Sequence, residues 1–173
     1  MPGHKGLLGP MGTGLLLCGR LPKPLMMGGT GSESENQAMP DFLPDRAEAG
    51  TANVPGFAGL EAGIRLILAE GPAQIGAREA ALAAYTAKRL EKLGYEVFTG
   101  PHQLGTLSFR GREDCQTLCD RLPDIALRAG LHCAPLAHKS AGTLTTGTVR
   151  ASFGWNSAQD DAVRLLEEIQ DIR

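Results

Sequence analysis

No stretch of this chain is apolar for long enough to cross a membrane; the run at residues 13–18 is short, far below the roughly 20 residues a spanning helix needs. An excess of charge of one sign is missing too. Seventeen Lys and Arg against 19 Asp and Glu leave a formal charge of -2, which gives neither a nucleic-acid footprint nor attraction to an anionic membrane. Cysteine is sparse: Cys18, Cys115, Cys119 and Cys133 do not form a secreted disulfide framework. The first residues also lack the charged start and long apolar stretch of a secretory leader. The expectation is a cytoplasmic protein in which a cysteine is either buried filler or a reagent. At 42% hydrophobic and 21% charged over 173 residues, the composition is that of one globular domain, or a small domain with an appendage. No internal repeat is visible.

Glycine is abundant, with 23 residues, most of them before position 76. Backbone of that kind belongs to ligand-hugging loops or flexible chain. Thr13 to Cys18 reads as a short, fully buried strand between glycines. Residues 20–55 carry most of the Pro, Gly, Ser and Asn punctuation, the mark of a long functional or mobile loop. Leu60, Ile64, Ile67 and Leu68 recur at the spacing of a buried helix face over residues 56–70. A longer helix is expected over 73–93, stopped by Gly94. Strands are expected at 95–99 and 106–109, a helix at 113–121, and strands at 125–128 and 148–153. A capping-box start at Ser157–Asp160 opens a last amphipathic helix carrying Val163, Leu166, Ile169 and Ile172. From Tyr95 onward this order describes an α+β layer with helices on one face of a largely antiparallel sheet.

Four constellations carry chemistry. Gly3-His4-Lys5-Gly6-Leu7-Leu8-Gly9-Pro10-Met11-Gly12-Thr13-Gly14 places a lysine before a glycine ladder. It fits neither a Walker loop nor a dinucleotide fingerprint, and reads alone as a flexible tail or as a lysine held on rigid backbone for covalent chemistry. In Arg46-Ala47-Glu48-Ala49-Gly50-Thr51-Ala52-Asn53, Thr51 or Asn53 caps the following helix, or that helix start receives an anion. Cys133, in Arg128-Ala129-Gly130-Leu131-His132-Cys133-Ala134-Pro135, is either a small buried hydrophobe or a thiolate on bent, partly exposed backbone beside a cation. Arg150, within Gly147-Thr148-Val149-Arg150-Ala151-Ser152-Phe153, lies in an apolar strand and needs a carboxylate partner, internal or external. Cys115 and Cys119, with His132 and Cys133, could also be read as zinc ligands. Their spacing is unusual for that, and neighbouring Leu118 and Leu122 favour a core-facing stripe. Cys18, at the end of the expected strand, reads as inert.

Together these motifs resemble the cysteine desulfurase-like members of the class V aminotransferases, pyridoxal-phosphate enzymes. The resemblance covers the whole chain but only the second half of the family's length. It implies a truncated fold-type I PLP-transferase, α/β with an α+β C-terminal domain: residues 1–72 as the end of the large cofactor-binding domain and 73–173 as the complete small domain. It implies that Lys5 carries pyridoxal 5'-phosphate covalently, that His4 lines its phosphate side, and that Thr51 reaches the phosphate of a neighbouring subunit in a homodimer. Pro2 departs from relatives that carry a Ser or Thr donor there. Arg150 would clamp the substrate's α-carboxylate, with L-cysteine the expected substrate. Cys133 would take its sulfur as a persulfide, release alanine, and pass the sulfur to an acceptor protein. A role for His132 in orienting or deprotonating Cys133 is also open. The segment between Cys133 and Arg150 differs from the better-known desulfurases in length and wording. The alternatives are a class V aminotransferase or another PLP-dependent β-lyase, a non-enzymatic sulfur carrier, or a functionless fragment; for these 173 residues alone, negligible activity is expected.

Overall fold

The computed structural model describes residues 1–172. The chain divides into two compact units, Met1–Glu70 and Gly71–Arg173.

The first unit contains one helix, α1 (Val54–Glu70), and otherwise turns and irregular chain. The expected strand at 13–18 does not form. An isolated antiparallel bridge joins Pro2 to Gly14, and Leu16 and Leu17 are 73% and 80% exposed. An apolar run becomes a strand only where neighbouring backbone pairs with it, and within this unit the pairing stops at the bridge. Cys18 is correspondingly exposed rather than buried.

The buried face of α1 also differs from expectation. It consists of Gly56, Leu60 and Gly63, whereas Leu68 is 67% exposed. The small residues are buried because backbone lies against them. A Cβ on Gly63 would stand 2.4 Å from the Leu7 carbonyl oxygen, and one on Gly59 would stand 2.7 Å from Pro10 Cγ. The lysine-bearing loop is seated on this glycine face.

In the long loop before α1, Arg46 ties the two ends of the stretch from Pro22 to Asp41 together. Its Nε donates to the Pro22 carbonyl (2.9 Å), and one terminal nitrogen donates to the Pro40 carbonyl (3.2 Å) and the Asp41 carboxylate (2.5 Å). Gly50 N–H donates to the Gly28 carbonyl at 2.9 Å. Asn53 caps α1, its side-chain oxygen accepting from Gly56 N–H at 3.1 Å, which satisfies a donor the first helical turn leaves open.

The second unit is a four-stranded antiparallel sheet in the order β1-β2-β4-β3: β1 (Glu96–Phe98), β2 (Thr106–Arg110), β3 (Arg128–Gly130) and β4 (Thr148–Ser152). Helices α2 (Pro72–Lys92), α3 (Cys115–Asp120) and α5 (Gln159–Asp171) cover one face. Alternation along the strands turns Leu107, Phe109, Val149 and Ala151 into a core shared with Leu90, Leu118, Leu122, Leu165 and Ile169.

Local signals set the boundaries. After α2, Tyr95 N–H reaches the Leu90 carbonyl and Gly94 N–H the Glu91 carbonyl, with Gly94 at φ 81°. This is a Schellman stop, which glycine favours. Asp114 caps α3 by accepting from Gln116 and Thr117 N–H.

Three expectations shift. The strand expected at 125–128 forms at Arg128–Gly130, because Ile125 and Leu127 close turns after Pro123 before any ladder can start. A six-residue helix, α4 (Pro135–Ser140), interrupts what reads as loop. The last helix begins one residue later than expected: Ala158 is the N-cap, Asp161 accepts from its N–H at 2.8 Å, and Ser157 Oγ accepts from Gly154 N–H.

Candidate functional site

In the first unit, His4 and Lys5 sit at the tip of a closed loop. Gly3 N–H donates to the Thr13 carbonyl at 2.7 Å, Gly9 N–H to the Gly3 carbonyl at 2.8 Å, and Leu8 N–H to the Lys5 carbonyl at 2.9 Å. The N-terminal ammonium of Met1 donates to the Leu15 carbonyl at 2.7 Å. Gly3 itself must be glycine, since a Cβ there would lie 2.2 Å from Thr13 Oγ1. Lys5 therefore stands on fixed backbone, as a covalent lysine requires, while its side chain is exposed. Thr51 is exposed as well, three residues before α1, and its hydroxyl makes no hydrogen bond among the described residues. The Lys5 amine, the His4 imidazole and the Thr51 hydroxyl are each exposed and, among the described residues, without a hydrogen-bond partner, so each is free to meet a ligand.

In the second unit, Arg150 of β4 lies directly opposite Arg128 of β3 and Ser108 of β2, on the sheet face away from the helices. Like charges placed directly across a ladder repel. Arg150 is half-buried, and its Nε finds no hydrogen-bond partner among the described residues. The internal carboxylate that would have made this a structural ion pair is absent among them, so the pair is disposed to receive an anion.

Beyond β3 the backbone turns sharply. Gly130, His132 and Cys133 all have positive φ, at 108°, 53° and 60°. The turn leaves Cys133 exposed, with its sulfur 4.0 Å from an Arg128 terminal nitrogen. His132 makes no hydrogen bond to the sulfur; its Nε2 donates instead to the Arg128 carbonyl at 2.9 Å. Burial holds the His132 imidazole below its ordinary pKa, and Arg150, His138 and Arg128 push it the same way, against the Arg128 backbone bond. Behind it lies His138, buried on α4, its ring centroid 5.6 Å from that of His132. His138 is a residue the motif reading passed over; its place in the sequence offers no signal beyond proximity to Cys133.

Cys115 is buried and Cys119 half-buried in the core, where burial raises both thiols.

A profile of the aminotransferase class-V family matches residues 1–165. The chain belongs to the class-V aminotransferase family. Among its relatives, the probable cysteine desulfurase of Methanothermobacter thermautotrophicus is 35% identical over 99% of this chain and 46% of its own length. That of Xylella fastidiosa 9a5c is 33% identical over 99% of this chain and 43% of its length. Solved structures are similar too, two of them at 28–30% identity. The apo cysteine desulfurase of Thermococcus onnurineus NA1 matches with a TM-score of 0.83 at 30% identity, covering 99% of this chain and 45% of that one. The cysteine desulfurase CsdA (S-sulfonic acid) of Escherichia coli matches with a TM-score of 0.79 at 28% identity, covering 98% and 44%. The fold is thus part of the fold-type I PLP-transferase architecture, and the chain spans less than half the length of the relatives it matches. Class-V aminotransferases and cysteine desulfurases are pyridoxal-phosphate enzymes.

Proposed function

We propose that this class-V chain supplies the lysine-bearing and cysteine-bearing parts of a pyridoxal-5'-phosphate-dependent cysteine desulfurase, which converts L-cysteine to L-alanine and carries the sulfur on Cys133. The observation that supports this reading best is the presentation of Cys133, exposed on a left-handed turn 4.0 Å from the Arg128 guanidinium. Its neighbouring strand carries Arg150, whose Nε is unpaired.

Lys5 Nζ would hold the cofactor's carbonyl carbon, and His4 and Thr51 its phosphate, Thr51 serving the neighbouring subunit of a homodimer. When bound, the cofactor supplies an electron sink for the substrate's α-carbon. Arg150 offers a planar fork for the substrate carboxylate. The Cys133 thiolate attacks the substrate's sulfur. A sulfur–sulfur bond forms as the carbon–sulfur bond breaks, the bonding pair stays with carbon, and that carbon takes up a proton to become the methyl group of alanine. An exposed persulfide can then be handed to an acceptor protein. A cytoplasmic setting, where thiols stay reduced, suits such a cysteine; no helix among the described residues is long and apolar enough to cross a membrane.

On their own the 173 residues are expected to turn over negligibly, because the chain spans less than half the length of the cysteine desulfurases it matches and the groups that place and tune the cofactor come from the whole site. Adding the cofactor, trapping with borohydride and mapping the labelled peptides tests the lysine assignment. Lys5 is expected to label ahead of Lys23, Lys88, Lys92 and Lys139, and even labelling would remove it from the reading. Robust alanine production from L-cysteine would refute the expectation of negligible turnover.

The exposure of Cys133 equally favours sulfur carriage without catalysis. That second reading predicts a mass gain of about 32 Da, one sulfur, on Cys133 from a persulfide donor, with no dependence on Lys5. An aminotransferase would instead keep its activity in Cys133→Ala.

A further inference from the structure

We propose that His138, through its hydrogen bond to Thr143, is a positioning residue that braces the turn holding Cys133 beside Arg128. The inference rests on the reading of Cys133 as the sulfur-accepting nucleophile.

The turn needs bracing. His132 and Cys133 are both left-handed, at φ 53° and 60°, and each non-glycine residue in that region costs about 1–2 kcal/mol. Strained backbone persists only where its surroundings over-determine it. One support is local: His132 Nε2 donates to the Arg128 carbonyl at 2.9 Å, and Ala134 N–H donates to the Leu131 carbonyl at 2.9 Å. The other comes through His138. Its backbone N–H donates to the Ala134 carbonyl at 3.1 Å, fixing the residue directly after Cys133. Its ring packs against that of His132, with centroids 5.6 Å apart and planes tilted by 41°.

Thr143 in turn anchors His138. Its N–H donates to the His138 carbonyl at 2.8 Å, and its hydroxyl lies 3.4 Å from the same carbonyl and 2.7 Å from His138 Nδ1. The 2.7 Å contact joins Nδ1 and the hydroxyl as a hydrogen bond, with the tautomer of the ring setting which of them donates. Both side chains are buried, His138 at 7% and Thr143 at 1% exposure, so water cannot replace either partner cheaply. The anchor extends to the sheet: Gly147 N–H donates to the Thr143 carbonyl at 2.8 Å, and Gly147 lies so close to Gly130 that a Cβ on it would stand 3.0 Å from Gly130 Cα. The segment from β3 through α4 to β4 is a closed ring with His138 at its centre and Cys133 on its rim.

The function served is proximity. A cation beside a sulfur supports the anionic form that reacts, and the Arg128 guanidinium keeps its 4.0 Å distance only while the turn holds. Loosening the ring would leave Cys133 as exposed as before but separated from Arg128.

The test is the rate at which iodoacetamide alkylates Cys133 in the full chain at neutral pH, resolved by peptide mass spectrometry. Exposed Cys18 serves as internal reference and buried Cys115 as reporter of folding. His138→Ala and Thr143→Val are expected to slow Cys133 about fivefold relative to Cys18, as the sulfur parts from its neighbouring cation. His138→Asn, whose side-chain amide can donate or accept where Nδ1 stands, is expected to stay within about twofold of the unaltered chain. Should His138→Ala label Cys115 as an unfolded chain would, the milder Thr143→Val decides. An unchanged Cys133 rate in folded His138→Ala, or in Thr143→Val where the first variant unfolds, overturns the proposal, as does an Asn variant as slow as Ala. Alkylation needs neither cofactor nor substrate. A chain that alkylates as expected but accepts no sulfur therefore counts against the proposed function and leaves the brace standing.

Discussion

His132 occupies a field of positive charge. Burial is the largest influence on its imidazole, and Arg150, His138 and Arg128 add to it, so its pKa lies below the ordinary 6.5. A group of this kind is neutral at pH 7 and binds its proton more readily when the chain unfolds. The stability it contributes is therefore present above about pH 6.5 and is lost as the pH falls through that value toward the folded pKa. An NMR titration is expected to place the His132 midpoint below 6.5 in the native chain. In Arg150→Gln the midpoint should rise without passing the ordinary value, because burial remains. The four cysteines divide by the same logic. Burial raises the Cys115 and Cys119 thiols, and the Asp114 charge acts in the same direction on both; Cys18 and Cys133 are exposed. A thiol reagent at mildly alkaline pH is expected to consume the exposed pair first and the core pair only on unfolding. The motif reading named Cys133 and Arg150. It could not show that Arg150 finds no carboxylate among the described residues, since that depends on which residues cross-strand pairing places opposite it.

At the level of elements, two helical glycines have opposite meanings. Gly63 on α1 faces the lysine loop, where an added Cβ would lie 2.4 Å from the Leu7 carbonyl oxygen, whereas Gly76 on α2 has nothing within 4 Å of that position. Replacing Gly76 by Ala is expected to stabilise the chain by about 0.5–1 kcal/mol through the lower entropy cost of fixing the backbone. Gly63→Ala carries the same backbone gain, but overpacking against backbone that cannot rotate away costs about 1–3 kcal/mol. It should lower the melting temperature and expose the lysine loop to protease. Thermal unfolding of the two variants side by side checks both signs. Helices α1, α2, α3 and α5 were legible in the sequence because helix stops such as Gly94 and the apolar period act locally; the six-residue α4 was not, being too short to show a period. The buried face of α1 was not: apolar spacing pointed to Ile64, Ile67 and Leu68, while the loop backbone selected Gly56 and Gly63.

Across the whole molecule the two units are unequally built. The unit from Gly71 onward shares one core that includes Phe109, Leu107, Leu165 and Ile169, all nearly or completely buried. In the unit before it, the large apolar side chains that reach burial are Met39 and Leu60 among the described residues, while Leu16, Leu17, Leu25, Met26 and Met27 are largely exposed. Few buried apolar contacts mean a low free energy of local opening. Limited proteolysis is expected to cut first before residue 54 and to leave a resistant fragment beginning near Gly71; equal cutting rates on both sides would contradict this.

Sequence by itself determined the local punctuation and which side chains are the candidates for chemistry. Turns, caps and helix stops are decided within a few residues, and the ladder around Lys5, the segment at Thr51 and the motif at Cys133 are contiguous. Tertiary structure alone decided what surrounds those side chains. The Arg128–Arg150 opposition arises from strand register, the seating of the Lys5 loop from backbone laid on glycines, and the His138–Thr143 brace from a short helix closing a ring. Each depends on residues brought together by packing, and residue spacing along the chain carries no direct record of that.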